Sequence, residues 1–189
     1  MDRLCRIAAA MCLLLWGVSA GAQITLVELN CENLFDCRHD SLKDDTEWLP
    51  GSLRRWTPGK YRRKLRHTAQ TLLSCQGDTL PALIALVEIE NDRVARDLVR
   101  QSMLWKAGYR YLMTESPDTR GIDVALLYRK EQFRVICYDL LEVRPLEGMR
   151  PTRDILYVRG VTADCDTLHV FVVHAPSRYG GEQIGRAHV

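Results

Sequence analysis

The sequence has no excess of charge of one sign: 26 Lys and Arg stand against 24 Asp and Glu, a formal charge of +2. That balance excludes a polybasic coat for nucleic acid but not an enzyme that grips phosphate locally. Low-complexity tracts, collagenous bias and repeats of solenoid period are absent, so fibrous and solenoid architectures fall away. The chain also lacks a long hydrophobic run, since residues 7–18 are too few to span a bilayer comfortably. With 26% charged and 47% hydrophobic residues it is neither disordered nor a multi-span membrane protein, and its 189 residues leave room for one domain and a targeting segment.

The opening residues read as such a segment. Arg3 and Arg6 flank the start of the apolar run, and Ala20-Gly21-Ala22 supplies the small-x-small pattern of a signal-peptidase site. Residues 1–22 are therefore expected to be a cleaved signal peptide. Gln23 would then begin an exported protein, periplasmic or secreted, with no membrane insertion after cleavage; an uncleaved anchor helix is the alternative. No Cys follows a lipobox-like triplet. Removing Cys5 and Cys12 leaves Cys31, Cys37, Cys75, Cys137 and Cys165, an odd number whose spacing is not that of a disulfide framework. Cys31, Cys37 and His39 lack a recognised zinc spacing and an evident fourth ligand. Cys31 and Cys137 are expected as small buried hydrophobes, and Cys37 with another loop Cys is the one disulfide to test.

Alternation from Gln23 to Leu29 predicts a first strand. Residues 33–58 form a polar, Asp-rich loop carrying Trp48 and Trp56, of a length that is usually functional or mobile. Thr57-Pro58, a cap followed by proline at the first helical position, opens a helix with Tyr61, Leu65, Ala69 and Leu72 at helical spacing. Its basic face (Arg62, Arg63, Arg66) reads as solvated surface, with phosphate contact as the alternative. Residues 81–87 are a nearly continuous apolar run, as expected of a central strand covered on both faces. A second helix carries Val94, Leu98 and Leu104 inward. Beyond Gly108, strands are predicted over 109–114, 122–128, 133–141, 155–162 and 168–173. Two early helices among many strands predict an α/β (α+β) domain with mixed or antiparallel pairing in its second part.

Polar residues cluster where these strands end. The first runs into Asn30-Cys31-Glu32-Asn33, the buried one into Glu88, and the last into His174-Ala175-Pro176-Ser177-Arg178. Ligand sites in α/β sheets gather at such ends. Two carboxylates and an amide from separate strands would make an oxygen-rich site suited to Mg2+, and a His and an Arg beside it would suit a phosphate ester. Each residue also has a structural alternative. Asn30 could cap a turn, Glu88 could open the next helix as a favourable charge, and His174 could bond only to a loop.

Four segments in order carry a resemblance: Glu28-Leu29-Asn30-Cys31-Glu32-Asn33-Leu34-Phe35-Asp36, Leu86-Val87-Glu88-Ile89-Glu90-Asn91, Arg120-Gly121-Ile122-Asp123-Val124-Ala125-Leu126-Leu127-Tyr128, and His174-Ala175-Pro176-Ser177-Arg178-Tyr179-Gly180-Gly181. Together they resemble the endonuclease/exonuclease/phosphatase superfamily, the deoxyribonuclease I-like group, and above all its exported bacterial members. The resemblance implies two facing sheets flanked by helices, of which this sequence holds the first half. It also implies metal-dependent hydrolysis of phosphodiesters or phosphomonoesters by direct attack of water. Residue by residue, it makes Glu88 the principal metal ligand, with Glu32 where relatives often place another acid. Asn30 becomes the residue that orients metal or phosphate, and His174 the group facing the scissile phosphate. Arg178 becomes a phosphate contact and Arg120 a weaker one. Asp123 is expected only to satisfy a loop. Mg2+ is the implied cofactor, with Mn2+ as substitute. The implied partner is a phosphate-ester substrate, nucleic acid among the candidates, with no stable protein partner.

The sequence departs from that pattern at its end. Relatives continue through a Gly-Asp-Phe-Asn strand end and a terminal Asp-His pair that supply the water-activating groups, and neither motif occurs here. Ile184-Gly185-Arg186-Ala187-His188-Val189 reads as the translation of a sequencing adapter. The expectation is therefore a truncated domain over 23–183 with a foreign tail at 184–189. Such a piece is expected to be inactive alone and poorly soluble, with an open inner sheet face and unpaired strand edges. The competing expectation is a non-catalytic binding domain on the same fold that uses Trp48, Trp56 and the basic helix.

Overall fold

A computed structural model describes residues 24–75, 79–144 and 151–175. The expected signal peptide, Arg178 and the 184–189 tail lie outside the described residues.

Two sheets pack face to face. The first has strand order β1-β2-β4-β3, formed by β1 (Leu26–Leu34), β2 (Leu83–Ile89), β4 (Asp123–Tyr128) and β3 (Arg110–Met113). β1 and β2 run parallel, joined by a crossover through helix α1 (Pro58–Ser74), while β2–β4 and β3–β4 are antiparallel. The second is an antiparallel meander of β5 (Phe133–Leu141), β6 (Ile155–Thr162) and β7 (Thr167–Val172). Mixed pairing is thus confined to the first sheet, where the crossover helix requires it.

Helix α1 begins as the sequence predicts: Thr57 Oγ1 accepts the Lys60 N–H at 3.4 Å and Pro58 occupies the first turn. It buries Tyr61, Leu65, Ala69 and Leu72. Helix α2 (Asp92–Gln101) is capped by Asn91, whose Oδ1 accepts from Val94 N at 3.0 Å, and buries Val94, Ala95 and Leu98. Leu104 also points inward, but from a separate 3-10 turn closed by Gly108 at φ 71°. Both helices cover one face of the first sheet through Ile84, Leu86, Ala125 and Leu127. The opposite face, with Leu83, Ala85, Val87, Val124 and Leu126, meets Phe133, Leu156, Val158 and Val172 of the second sheet. β2 is therefore covered on both sides, which explains its unbroken apolar run.

The inter-sheet seam is tight at one point. A Cβ on Gly160 would stand 2.3 Å from Cζ of the fully buried Phe133 ring. Gly160→Ala is expected to cost about 1–3 kcal/mol by overpacking, read as a lower urea midpoint at unchanged slope. An unchanged midpoint would contradict this packing.

Two expectations change. Cys137 is exposed rather than buried, because β5 slips register between Val135 and Cys137 and turns Cys137 opposite Arg159, away from the inter-sheet core. Cys37 is a free thiol, as are Cys31, Cys75, Cys137 and Cys165. Cys31 is buried as expected, and burial pushes its thiol up to about 12. It is therefore a neutral core residue and a poor metal ligand. The inner faces are partly open: Leu26, Tyr138 and Leu140 point toward the seam yet remain substantially exposed.

Candidate active site

The site is built by two β-bulges lying side by side. Along β2, Ile84 and Leu86 face the helices, so strict alternation would send Glu88 into that apolar layer. Instead register slips between Val87 and Ile89, Glu88 takes φ 61°, and Ile89 occupies the helix-facing position. β1 repeats the device. Val27, Leu29 and Cys31 face the helices, register slips between Asn30 and Leu34, Glu32 and Asn33 take φ 51° and 61°, and Leu34 fills the core. Each bulge removes a polar side chain from the core and aims it at the strand end. Three non-glycine residues in the left-handed region cost of order 1–3 kcal/mol each.

Hydrogen bonds hold that strain. Glu88 Oε2 accepts the Asn33 N–H at 2.9 Å, so each bulge locks the other. Asn30 Oδ1 accepts the Glu32 N–H at 2.7 Å. Lys64 on α1 donates to the carbonyls of Glu32 at 2.5 Å and Asn33 at 3.0 Å. Burial lowers the Lys64 pKa below its usual value, an effect partly opposed by Glu32 and Glu88. Lys64→Met should release two carbonyls and relax both bulges, at about 1.5–3 kcal/mol. Urea unfolding checks this, and a loss below about 0.5 kcal/mol would count against the clamp.

His174 follows β7, with Nε2 3.6 Å from Glu88 Oε1. Its Nδ1 is buried and has no hydrogen-bond partner. Burial and then the Arg153 guanidinium lower its pKa, opposed by Glu88, so the imidazole is neutral at neutral pH. Arg153, 5% exposed, fixes the end of this strand. Nη2 donates to the His174 and Ala175 carbonyls at 3.1 and 3.2 Å, and Nη1 to buried Asp118 at 3.1 Å. Asp118 also accepts the Arg120 N–H at 3.0 Å, and Arg120 Nε stands 3.7 Å from it. The loop holding Asp118 is tied down by Lys43, which donates to the Ser116 and Asp118 carbonyls at 2.7 and 3.0 Å. Asp123 anchors its other end, accepting from Thr114 Oγ1 at 2.6 Å and from both the N–H and the hydroxyl of Ser116.

The structure thus brings Glu88 and His174 together and sets Asn30 and Glu32 on the neighbouring bulge. Asn30 does cap a turn, as the structural alternative held. Glu88 does not open α2, whose cap is Asn91. Glu32 is exposed and makes no hydrogen bond or ion pair with Glu88 or His174. Arg120 lies half-exposed on the Asp118 loop, close enough for its charge to depress His174. Arg178 falls outside the described residues. Sequence reasoning missed Arg153 and Lys64, neither of which has a local signal. It also missed the bulges, which do have one: the apolar period slips by one residue at Cys31-to-Leu34 and again at Leu86-to-Ile89.

Among the described residues no three His, Cys, Asp or Glu side chains form a metal cage. That donor set does not suit Zn2+, which takes three or four nitrogen or sulfur ligands. It fits Mg2+, which keeps several waters and takes one or two carboxylates. Glu88 Oε1 is the available carboxylate oxygen, with the Asn30 amide on the adjacent strand. Trp48 and Trp56 are engaged in packing the long loop. Trp48 stacks on Phe35 at 5.0 Å, meets Trp56 edge-on at 5.2 Å, and carries the Arg54 and Lys64 cations on its ring. Trp56 Nε1 donates to the Phe35 carbonyl at 2.9 Å.

A family model described as "Endonuclease/Exonuclease/phosphatase family" matches residues 25–188. No curated protein matches the sequence. The fold is similar to that of the human Nocturnin catalytic domain with bound sulfate anion, at 15% identity and TM-score 0.53, over 83% of this chain and 51% of that one. It is also similar to a functionally unknown conserved protein from Enterococcus faecalis V583, at 16% identity and TM-score 0.51, over 80% and 53% of the two chains. The chain spans about half the length of each.

Proposed function

Since the chain belongs to the endonuclease/exonuclease/phosphatase family, we propose that it supplies the metal- and phosphate-binding part of an exported phosphoesterase that hydrolyses phosphodiester or phosphomonoester bonds. The observation that carries this reading is the pair of bulges. Both strands accept backbone strain to bring Glu88 out of the apolar layer and set its carboxylate between Asn33 and His174. A domain kept only for packing gains nothing from that arrangement.

Glu88, with Asn30 beside it and Glu32 as an outer acid, would hold Mg2+, or Mn2+ in its place. The ion when bound supplies neutralisation of a non-bridging phosphate oxygen. His174, neutral and held through its carbonyl by Arg153, presents a ring nitrogen that can donate to the phosphoryl group. Arg178 and Arg120 add positive charge for the same oxygens. Water activation belongs to residues of the family pattern that this sequence does not carry. The chain as given is therefore expected to bind metal and phosphate without efficient turnover.

The test compares the chain as given with one extended through the Gly-Asp-Phe-Asn and Asp-His motifs, both assayed on bis(p-nitrophenyl) phosphate. The extended chain should hydrolyse it with Mg2+ or Mn2+ and stop with EDTA. Turnover that survives EDTA would defeat the proposal.

A further inference from the structure

Helix α1 presents two different sides. Lys64 faces the bulges, whereas Arg62 and Arg66, one helical turn apart, line a cleft of about 830 Å³ between α1 and α2. Arg38, Arg93, Arg96 and Trp105 also line it. Arg93 is paired with Asp36 and Arg96 with Asp92. Arg38, Arg62 and Arg66 have no carboxylate partner among the described residues. The acid in the cleft, Asp97, is buried and already accepts from the Tyr61 hydroxyl at 3.1 Å and the Gln101 amide at 2.6 Å. Three unneutralised guanidinium groups therefore meet in one cleft of a chain whose formal charge is only +2. Beside them Met103 is 51% exposed and Trp105 62%, the Lys106 ammonium standing 5.4 Å from the indole centroid on one side and adding a further positive charge there.

Unpaired arginines together with an exposed indole suit a flexible polyanion that carries flat rings. Phosphates take the guanidinium forks, and an unpaired base takes the indole. A duplex hides its base faces in its own stack, and a small phosphate ester needs none of the cleft. The cleft and the Glu88 site lie on different sides of α1 and share one stretch of chain. Residues 33–38 run from Asn33, bound by Glu88, through Asp36, bound by Arg93, to Arg38 at the cleft wall.

We propose that the cleft between α1 and α2 binds single-stranded nucleic acid, with phosphates on Arg38, Arg62 and Arg66 and a base on Trp105. That binding does not depend on the proposed function.

The experiment measures fluorescence anisotropy of fluorescein-labelled oligothymidylate on the full chain in EDTA, so that metal chemistry is absent. Binding should weaken with salt at a log–log slope of about −2, as three phosphate contacts on a single strand require. Arg62→Glu with Arg66→Glu should weaken it at least about tenfold, since each contact is charge-assisted. Trp105→Ala should weaken it at least about fivefold, with Trp105→Tyr restoring most of the loss. Glu88→Gln should leave it unchanged, which separates failure of the cleft from failure of the reaction. Each of three results would overturn the proposal: no binding at low salt, binding indifferent to the arginine pair, or equal competition by polyglutamate with no effect of Trp105→Ala. The last would make the cleft a dock for acidic protein.

Discussion

Replacing Glu88 by glutamine is expected to lower kcat/KM for Mg2+-dependent phosphoester hydrolysis by about three orders of magnitude in a chain carrying the whole family pattern. The substitution keeps shape and removes charge. Glutamine can still present a carbonyl oxygen to the Asn33 N–H, so the paired bulges should survive and the stability should change little. The anionic oxygen facing His174 is lost, and with it the one carboxylate that, among the described residues, stands within ion-pair distance of the imidazole. Metal assistance is worth several kcal/mol of charge stabilisation, which gives the expected factor. Equal rates in the two proteins would show that Glu88 shapes the strand end without serving the reaction.

Arg153→Met is the corresponding prediction for stability, at about 3–5 kcal/mol. Its cost comes from what it leaves behind. Asp118 is 4% exposed, and without Arg153 Nη1 its carboxylate keeps, among the described residues, only the Arg120 N–H and a more distant, half-exposed guanidinium. The His174 and Ala175 carbonyls lose their donor in the same stroke. Arg153→Lys should recover little, because one ammonium cannot reproduce a planar fork that serves a carboxylate and two carbonyls. Asp118→Asn in the Arg153→Met background should recover part of the loss by removing the stranded charge. Urea unfolding of the three variants checks this, and a loss below about 1 kcal/mol for Arg153→Met would mean that water already satisfies these groups.

Local pattern made much of the fold legible. The cap at Thr57-Pro58, the doubly covered run of β2 and the strands 133–141 and 155–162 follow from composition and period, and each appears at or within a residue or two of its expected place. The candidate site was legible as a set of strand ends, because Asn30, Glu88 and His174 each stop an apolar pattern. How the chain aims them was not. The slip of the apolar period from Leu86 to Ile89 marks Glu88 as an extra residue, but which way a bulge aims its side chain depends on what the neighbouring strand leaves unopposed. Arg153 is further from any local signal, since its partners lie 21 to 35 residues away along the chain. Cys137 failed for a related reason: alternation alone would bury it, and the register slip in β5 turns it out.

Titration of Mn2+ into the chain, followed by the electron paramagnetic resonance signal of the free ion with and without inorganic phosphate, tests the central claim most directly. One bound Mn2+ per chain is expected, with tighter binding when phosphate is present and loss of both effects in Glu88→Gln. Binding that is absent, or that Glu88→Gln leaves intact, would contradict it.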